Sequence, residues 1–233
     1  MFYFSVITIF PEILEPYFKS SIIGRAQKKK TVKIKLINPR NFTFDKHKTI
    51  DGKPYGGGPG MVMKAEPILK AIGSALSNPK IKNLKFKTII LSPRGKQFTQ
   101  KMARDWAKKY NHLILIAGHY EGIDERVKKI AKAEEISIGP YILTGGEIPA
   151  MLIVDAVSRH IKGVLGKEES LEEKRGSFPV YPHTKTFGVR VYTRPEVLEW
   201  PTKRGKQGKK YRTPKVLISG NHKKIEEWRR KER

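Results

Sequence analysis

At 233 residues, with 38% hydrophobic residues, the chain can bury a substantial core, which excludes wholesale disorder. Its 48 lysines and arginines outnumber 22 acidic residues, and the net charge of +26 favours a polyanionic partner such as a nucleic acid. The absence of cysteine excludes disulfides, thiolate nucleophiles and cysteine-ligated zinc. The apolar start, MFYFSVITIF, is short and precedes Pro11 and Glu12, so it predicts a buried strand of a soluble, cytoplasmic protein rather than a signal peptide or membrane span.

Strand-like and helix-like patterns alternate along the first 161 residues. TVKIKLI alternates apolar and charged residues, as an edge or half-buried strand does. Pro11 suits the first turn of one helix, and Asp124 can cap another. The alternation predicts an α/β fold whose mostly parallel sheet is covered by helices on both faces. The predicted strands span residues 2–10, 31–37, 86–92, 112–118 and 135–138, and the predicted helices span residues 11–28, 65–76, 96–110, 125–133 and 147–161.

The stretch PYGGGPGM, at residues 54–61, lies in a segment of little periodicity. Glycine-rich backbone can cradle phosphate, but Met61 and Val62 follow Gly60 where a P-loop needs lysine and then serine or threonine. A dinucleotide-binding fingerprint would need glycine at the position of Met61. The stretch therefore matches neither motif. Two interpretations stay open: a mobile surface loop, or a functional loop that Met61, Val62 and Met63 dock onto the body of the protein.

Three other glycine-bearing segments follow predicted strands. They are LSPRG (91–95), AGHYEG (117–122) and SIGPYILTGGE (137–147). Ligands of parallel sheets bind beyond the carboxyl ends of the strands, and glycine lets a ligand approach the backbone closely. We therefore expect a ligand site built from these three loops. The alternative is that each glycine simply ends a strand.

The sequence changes character after residue 161. Residues 162–178 are highly charged and indicate a linker. The basic, glycine-spaced segment TKRGKQGKKYRT, at residues 202–213, predicts a loop that could contact a polyanion. Residues 222–233 predict a terminal helix.

The motifs PYGGGPGM, LSPRG, GHYEGIDER and SIGPYILTGGEIPAM occur in this order and precede VSRHIKGVLG, YTRPEVLEW and VLISGNH. Together they resemble the bacterial tRNA (guanine-37 N1)-methyltransferase family, the TrmD type of the SPOUT superfamily, from the first strand nearly to the last residue. The resemblance implies methyl transfer from S-adenosyl-L-methionine to N1 of guanine 37 in tRNA. It also implies a cytoplasmic homodimer that binds neither DNA nor a membrane, and a Mg²⁺ dependence linked to Glu121, although one carboxylate does not make a metal site.

The resemblance implies a fold that periodicity alone would not indicate. Residues 1–161 would form the SPOUT methyltransferase domain, with a deep trefoil knot of a kind that is rare in proteins. Residues 162–178 would be a linker, and residues 179–233 a small, basic, mainly helical tRNA-binding domain. Because the chain ends at Arg233, we expect this C-terminal domain to be shorter than is usual in the family.

The resemblance assigns two groups of binding residues, motif by motif. Bare glycine backbone would accept a flat, extruded guanine, with Pro59 close to it. For His47 and Asp51 the alternative is a solvated loop position. The expected donor-binding residues are Leu91, Pro93, Gly118, Tyr120, Glu121, Ile138, Gly139, Tyr141, Ile142, Leu143, Gly145, Gly146 and Pro149. The expected acceptor-binding residues are His47, Asp51, Tyr55, Gly57, Gly58, Pro59 and Gly60.

Two catalytic roles also follow from the resemblance. Arg159 matches the family arginine that stabilises charge developing on guanine O6; alternatively it interacts favourably with the C-terminal dipole of its helix. The family aspartate that precedes a Ser-Phe pair is missing, because Lys174 and Gly176 stand at the two positions that could align with it. We expect Glu173, with Glu172 as second choice, to act as the general base; the alternative is that both are solvated linker residues.

The missing aspartate keeps two other functions open. One is a non-catalytic RNA-binding relic that retains the dimer and the basic surface. The other is a SPOUT methyltransferase with a different RNA target. His119 is a second departure, because it replaces the arginine often found before Tyr-Glu-Gly.

Overall fold

The computed structural model describes residues 1–77, 79, 83–165, 192–200 and 208–231. The chain divides into two compact units, Met1–Glu168 and Glu169–Arg233, called the N-terminal and C-terminal units here. Within the described residues, no helix combines the length and the apolar character that a membrane crossing requires. Most of the predicted linker lies outside the described residues, so the predicted domain boundaries stay a prediction.

A five-stranded, fully parallel sheet forms the centre of the N-terminal unit, with the strand order β2-β1-β6-β5-β7. The predicted α/β fold with a mostly parallel sheet is confirmed, and TVKIKLI forms the edge strand β2. The strands are β1 (Phe2–Ile7), β2 (Val32–Ile37), β3 (Asp51–Gly52), β4 (Val62–Met63), β5 (Phe86–Gln97), β6 (His112–Ala117) and β7 (Glu134–Ser137). The helices are α1 (Pro11–Lys19), α2 (Ser21–Lys28), α3 (Ala65–Leu76), α4 (Gln100–Lys109), α5 (Glu125–Ile130) and α6 (Glu147–Ser158), and a short 3-10 helix spans Pro39–Phe42.

The prediction of one helix over residues 11–28 is wrong, because α1 and α2 are separated at Ser20. Ser20 has an extended backbone (φ −104°, ψ 163°), and Ser21 has a positive φ of 49°. The Ser20 hydroxyl donates to the carbonyl of Pro16 at 2.5 Å. A Cβ added to Gly24 would lie 2.3 Å from the carbonyl oxygen of Lys19, so glycine is needed where α2 packs against the end of α1.

The LSPRG segment is not a simple loop after a strand. Strand β5 continues through it to Gln97, with a shift of its pairing with β7 between Leu91 and Lys96. A Cβ on Gly95 would lie 2.4 Å from the carbonyl carbon of Glu135, so this part of β5 runs very close to β7. Helix α4 consequently starts later than predicted, where the Thr99 side chain accepts a hydrogen bond from the amide of Met102.

Both faces of the sheet bury apolar side chains, as predicted. Helices α1, α2, α4 and α6 cover one face, where Phe4 and Leu115 pack with residues such as Trp106. Helices α3 and α5 cover the other face, where Ile116 packs with residues such as Ile68. Burying each such side chain stabilises the fold by about 1.5–3 kcal/mol. Strand β6 is buried along its whole length, which holds its carboxyl end firmly in place.

The described part of the C-terminal unit contains strands as well as helices. Strands β8 (Val197–Trp200) and β9 (Lys209–Arg212) form an antiparallel two-stranded sheet. The prediction of a loop over residues 202–213 is therefore wrong for β9, while residues 201–207 lie outside the described residues. Helices α7 (Lys215–Ile218) and α8 (His222–Lys231) follow, and α8 confirms the predicted terminal helix.

His112, at the start of β6, is a fully buried titratable side chain. Its Nε2 lies 2.9 Å from the Ser5 hydroxyl, and its Nδ1 has no hydrogen-bond partner among the described residues. Burial lowers the pKa of His112 from 6.5 to about 4, because a charged imidazolium would lose its hydration there.

We expect His112 to make the stability of the protein depend on pH. Between about pH 6.5 and pH 4 the unfolded chain binds a proton at this position that the folded chain excludes, so the free energy of unfolding should fall as the pH falls, by up to about 3 kcal/mol. Urea unfolding of the wild type and His112→Gln at pH 7 and pH 4.5 measures this. The variant should lose less stability on acidification. An equal loss in both proteins would contradict the assignment.

Candidate active site

A cavity of about 280 Å³ lies where the adjacent strands β6, β5 and β7 end. The structure thus brings the three predicted glycine-bearing loops together at the edge of the sheet where ligands of parallel sheets bind. Gly139 is the one expected donor-binding residue outside the lining; it lies under the ring of Tyr141, whose Cε1 would be 2.4 Å from an added Cβ. The expected donor-binding residues in the lining are Leu91, Pro93, Gly118, Tyr120, Glu121, Ile138, Tyr141, Ile142, Leu143, Gly145, Gly146 and Pro149.

Gly145 and Gly146 hold the third loop tightly against the second. The amide of Gly146 donates to the carbonyl of Gly118 at 2.9 Å, and a Cβ on Gly146 would lie 2.5 Å from the Cα of Ala117. A Cβ on Gly145 would lie 2.3 Å from Cε1 of His119 and 2.6 Å from Oε2 of Glu147. Close packing between the loops therefore requires glycine at both positions, independently of any ligand.

A largely buried chain of hydrogen bonds connects the cavity wall to Thr8, the residue directly after strand β1. Nε2 of His119 lies 2.7 Å from Oε2 of Glu147, and the Thr8 hydroxyl donates to Oε1 of Glu147 at 2.6 Å. Glu147 is only 4% exposed and begins α6, where the helix dipole favours a carboxylate. His119, which departs from the arginine often found in the family, thus has a specific partner in this chain.

The end of the glycine run is hydrogen-bonded to the second cavity loop. The amide of Glu121 donates to the carbonyl of Met61 at 3.0 Å, and the amide of Met63 donates to the carbonyl of Gly122 at 2.9 Å. A Cβ on Gly60 would lie 2.4 Å from Cγ of Glu121. The docking expected of Met61 and Met63 is therefore present, and it joins an expected acceptor-binding residue to an expected donor-binding residue.

The rest of the glycine run projects away from the body. Gly56, Gly57 and Gly58 have positive φ values of 83°, 79° and 111°, and an added Cβ would meet no described atom within 4 Å. Tyr55 is completely exposed. Residues other than glycine rarely adopt such φ values. The conformation of the run therefore favours glycine at these positions, which leaves the backbone without side chains. His47, Asp51, Tyr55, Gly57, Gly58, Pro59 and Gly60 do not line the cavity.

A sequence model described as tRNA (Guanine-1)-methyltransferase TrmD matches residues 2–233 of this chain. The chain belongs to this family. A tRNA (guanine-N(1)-)-methyltransferase of Carboxydothermus hydrogenoformans is 50% identical over 97% of this chain and 81% of its own length. A relative of the same name from Dictyoglomus turgidum is 49% identical over 97% of this chain and 83% of its own length. Another, from Clostridioides difficile, is 44% identical over 98% of this chain and 91% of its own length. The resemblance inferred from the motifs, and the expectation that the protein is an enzyme, are confirmed.

Arg159, the expected catalytic residue that lies within the described part of the chain, does not line this cavity. Arg159 directly follows the 12-residue helix α6, whose first residue, Glu147, lies at the cavity end. At 1.5 Å per residue, the Cα of Arg159 lies about 18 Å further along the helix, beyond the reach of its side chain. Glu172 and Glu173 lie outside the described residues.

A charged cluster, which the motifs did not predict, lies on the wall of the TrmD-type cavity. Lys128 Nζ lies 2.7 Å from Oε2 of Glu135, and a guanidinium nitrogen of Arg94 lies 3.4 Å from the other carboxylate oxygen. The hydrogen bond to Glu135 raises the pKa of Lys128, which keeps it cationic. Arg94 lies inside the LSPRG motif, so its place at the cavity could have been predicted from the sequence. Lys128 and Glu135 lie in segments without a recognisable motif and could not.

The carboxylate of Glu121 lines the cavity and makes no side-chain hydrogen bond or ion pair within the described residues. Those residues also contain no group of three or more histidine, aspartate or glutamate side chains that could hold a metal ion.

Proposed function

We propose that this protein transfers a methyl group from S-adenosyl-L-methionine to N1 of guanine 37 in tRNA. One observation carries the proposal: Glu121, which lines the cavity built from the three loops, also donates its amide to the carbonyl of Met61 at the docked end of the glycine run. An enzyme that joins two substrates must hold them next to each other, and such orientation can lower the barrier by about 7–11 kcal/mol in ideal cases. The names of the relatives support both the reaction and the tRNA substrate.

The lining of the cavity suits the chemistry of the donor. Leu91, Ile138 and Leu143 provide aliphatic walls for a flat base, and the neighbouring glycines expose backbone groups that can read its edge. The carboxylate of Glu121 suits a positively charged ligand. S-adenosylmethionine, when bound, supplies an electrophilic methyl group on a cationic sulfur. We also propose that these loops form the trefoil knot of the family.

The glycine run suits the acceptor. Because Gly56, Gly57 and Gly58 present backbone without side chains, a flat base can lie against them. Pro59 would limit the space around that base. We propose that the run closes over guanine 37 and places N1 toward the cavity, and that His47 and Asp51 contact the tRNA beside it.

A homodimer would explain how Arg159 can act at the cavity although it is distant from the cavity of its own chain. Its distance along α6 keeps it from the cavity of its own chain, so an O6-stabilising role requires that the arginine of a second copy reach that cavity. Exposed apolar side chains support such an interface, because Ile148 and Leu152 of α6 are 53% and 39% exposed and Ile13 of α1 is 50% exposed. We propose that these helices form the dimer contact.

The general base remains the linker carboxylate Glu173, with Glu172 as second choice. Removing the N1 proton in step with methyl transfer is worth about 10²–10⁴-fold in rate. Glu173→Gln keeps the shape and removes the basicity, so its single-turnover rate should fall by about 10²-fold while donor and tRNA affinities change little. Glu168→Gln, nearer to α6 along the chain, is the matched control. If Glu173→Gln, Glu172→Gln and the double variant all keep wild-type rates, another group must accept the N1 proton.

The proposed reaction extends to the rest of the molecule. We propose that residues 179–233 help to grip tRNA, that residues 162–178 act as the linker, and that the enzyme works in the cytoplasm, where its substrate is made. If the reaction requires Mg²⁺, we propose that Glu121 and groups of the substrates hold the ion together, since one carboxylate alone does not hold it.

Isothermal calorimetry tests the donor side of the proposal. S-adenosylmethionine and its demethylated product, S-adenosylhomocysteine, should both bind, with one site per chain or one per dimer. Adenosine triphosphate, which shares the adenosine but adds polyphosphate, is the control and should bind far more weakly. Absence of binding by either of the first two compounds would overturn the proposed function.

A further inference from the structure

The two-stranded sheet of the C-terminal unit has one face rich in aromatic and cationic side chains. Leu198 lies directly opposite Tyr211, and Trp200 lies directly opposite Lys209. Residues that are opposite each other, or two apart on one strand, project from the same face of a sheet. Leu198, Trp200, Lys209 and Tyr211 therefore form a single surface, called the aromatic face here. Leu198, Tyr211 and Trp200 are 51%, 51% and 60% exposed.

We propose that the aromatic face binds unpaired nucleotides of the tRNA substrate by stacking. Indole and phenol rings stack with any base, and this is how proteins commonly hold single-stranded nucleic acid. The ammonium of Lys209 lies 5.6 Å from the centre of the Tyr211 ring, so a cation for the phosphate backbone stands beside the stacking surface. This inference rests on the proposed function, because it takes tRNA as the partner.

The opposite face shows that the aromatic residues do more than stabilise the sheet. Val197 and Glu199, which project from that face, are the half-buried residues of β8. Oε1 of Glu199 accepts a hydrogen bond from the amide of Gly208 at 2.8 Å. Side chains that only support a sheet belong on its covered face, whereas Leu198 and Trp200 are the exposed residues of the same strand.

The combination of positive charge and exposed aromatic rings favours RNA as the partner. All four residues of β9 (KKYR) are exposed. Lys209 lies on the aromatic face, and Lys210 and Arg212 make the other face of the strand basic as well. The preceding segment adds Lys203, Arg204 and Lys206 in the sequence, within a chain whose net charge is +26. Aromatic rings interleaved with cations match bases interleaved with phosphates.

Two double variants test the stacking in the full-length protein. Trp200→Leu/Tyr211→Leu keeps apolar bulk on the aromatic face but removes the rings, and it should weaken the binding of an unmodified tRNA transcript by about 5- to 150-fold. Trp200→Phe/Tyr211→Phe keeps rings and should bind nearly as the wild type does. Wild-type affinity of the leucine variant would overturn the proposal, and so would equal weakening in both variants.

Salt dependence tests which face meets the phosphate backbone. Lys209→Gln should lower the slope of log affinity against log salt by about 0.7 for one lost single-strand phosphate contact. Lys210→Gln, on the opposite face, is the matched control and should keep the wild-type slope. A lower slope for Lys210→Gln but not for Lys209→Gln would show that the phosphate contact lies on the face opposite the aromatic face, which would contradict the proposal.

Donor calorimetry separates this proposal from the proposed function. If the wild type binds the donor and tRNA but the leucine variant binds tRNA equally well, only the aromatic face is misassigned. If the wild type binds no tRNA, the proposed function itself fails. If the leucine variant loses self-association instead of tRNA affinity, measured by analytical ultracentrifugation, the aromatic face meets a second copy and the proposal is overturned.

Discussion

Replacing Gly146 with alanine is expected to abolish binding of S-adenosylmethionine. The new Cβ would lie 2.5 Å from the Cα of Ala117 and 2.8 Å from the amide nitrogen of Gly118. Both are backbone atoms at the end of the fully buried strand β6, so the third loop must move rather than the strand. Moving that loop displaces the cavity wall formed by Leu143 and Pro149.

Gly73→Ala is the matched control for this experiment. Gly73 lies within α3, and an added Cβ would meet no described atom within 4 Å, so alanine should leave donor binding unchanged and slightly favour the helix. Calorimetry measures the affinity, and thermal unfolding verifies that each variant is folded. A folded Gly146→Ala protein with wild-type donor affinity would show that the loop packing does not shape the donor site.

Gly145 offers a graded version of the same test. Its added Cβ would meet the His119 ring and the Glu147 carboxylate, which are side chains and can move. Gly145→Ala should therefore weaken donor binding less than Gly146→Ala does. Removing the obstructing ring in Gly145→Ala/His119→Gly should recover part of the loss, whereas the same second change cannot rescue Gly146→Ala.

Replacing Arg159 with glutamine is expected to slow methyl transfer by about 10²–10³-fold, the usual cost of losing one group that stabilises developing negative charge. Donor affinity should not change, because the proposed contact of Arg159 is with O6 of the guanine and not with the donor. Single-turnover kinetics and calorimetry measure the two effects. A helix-terminal arginine that serves only the dipole would change stability slightly and the rate hardly at all.

Mixed dimers determine which chain supplies Arg159. Arg159→Gln and Gly146→Ala proteins, unfolded together and refolded as a mixture, should regain about a quarter of the wild-type activity, since half of the dimers pair one chain of each kind and restore one site of two. Each variant alone should stay inactive. A mixture as inactive as its components would mean that Arg159 acts within its own chain.

Periodicity predicted the parallel sheet, and the glycine-bearing loops predicted the sheet edge at which the cavity lies. Buried apolar runs such as HLILIA at residues 112–117 and glycines just beyond them are local signals, and the carboxyl ends of parallel strands meet at one edge. Helix α3 was also predicted with its observed bounds. These features depend on nearest neighbours along the chain, which a sequence displays directly.

Features that depend on distant neighbours were predicted less well. The break between α1 and α2 follows from the positive φ of Ser21, a residue type that gives no strong warning of it. The pairing of β9 with β8 was hidden because lysine-rich segments are typical of loops. The Thr8–Glu147 hydrogen bond joins residues 139 positions apart, and no local pattern indicates such a contact.

The site residues also divide into those that local motifs could predict and those that they could not. The three loops that line the cavity could be assembled from motifs, because each motif follows its own strand. The acceptor loop and Arg159 could be assigned only by resemblance, since their proposed partners are a tRNA and a second copy of the chain. Glu173 could be chosen only by its place in the sequence, because the family aspartate is missing.

Transfer of a labelled methyl group to tRNA tests the central claim most directly. The protein is incubated with methyl-labelled S-adenosylmethionine and an unmodified transcript carrying guanine at positions 36 and 37, and the digested RNA is analysed for labelled 1-methylguanosine. A transcript that differs only by adenine at position 37 is the control. We expect label in 1-methylguanosine from the first transcript and none from the second. Equal labelling of both transcripts, or none of the first while the donor binds, would contradict the proposed function.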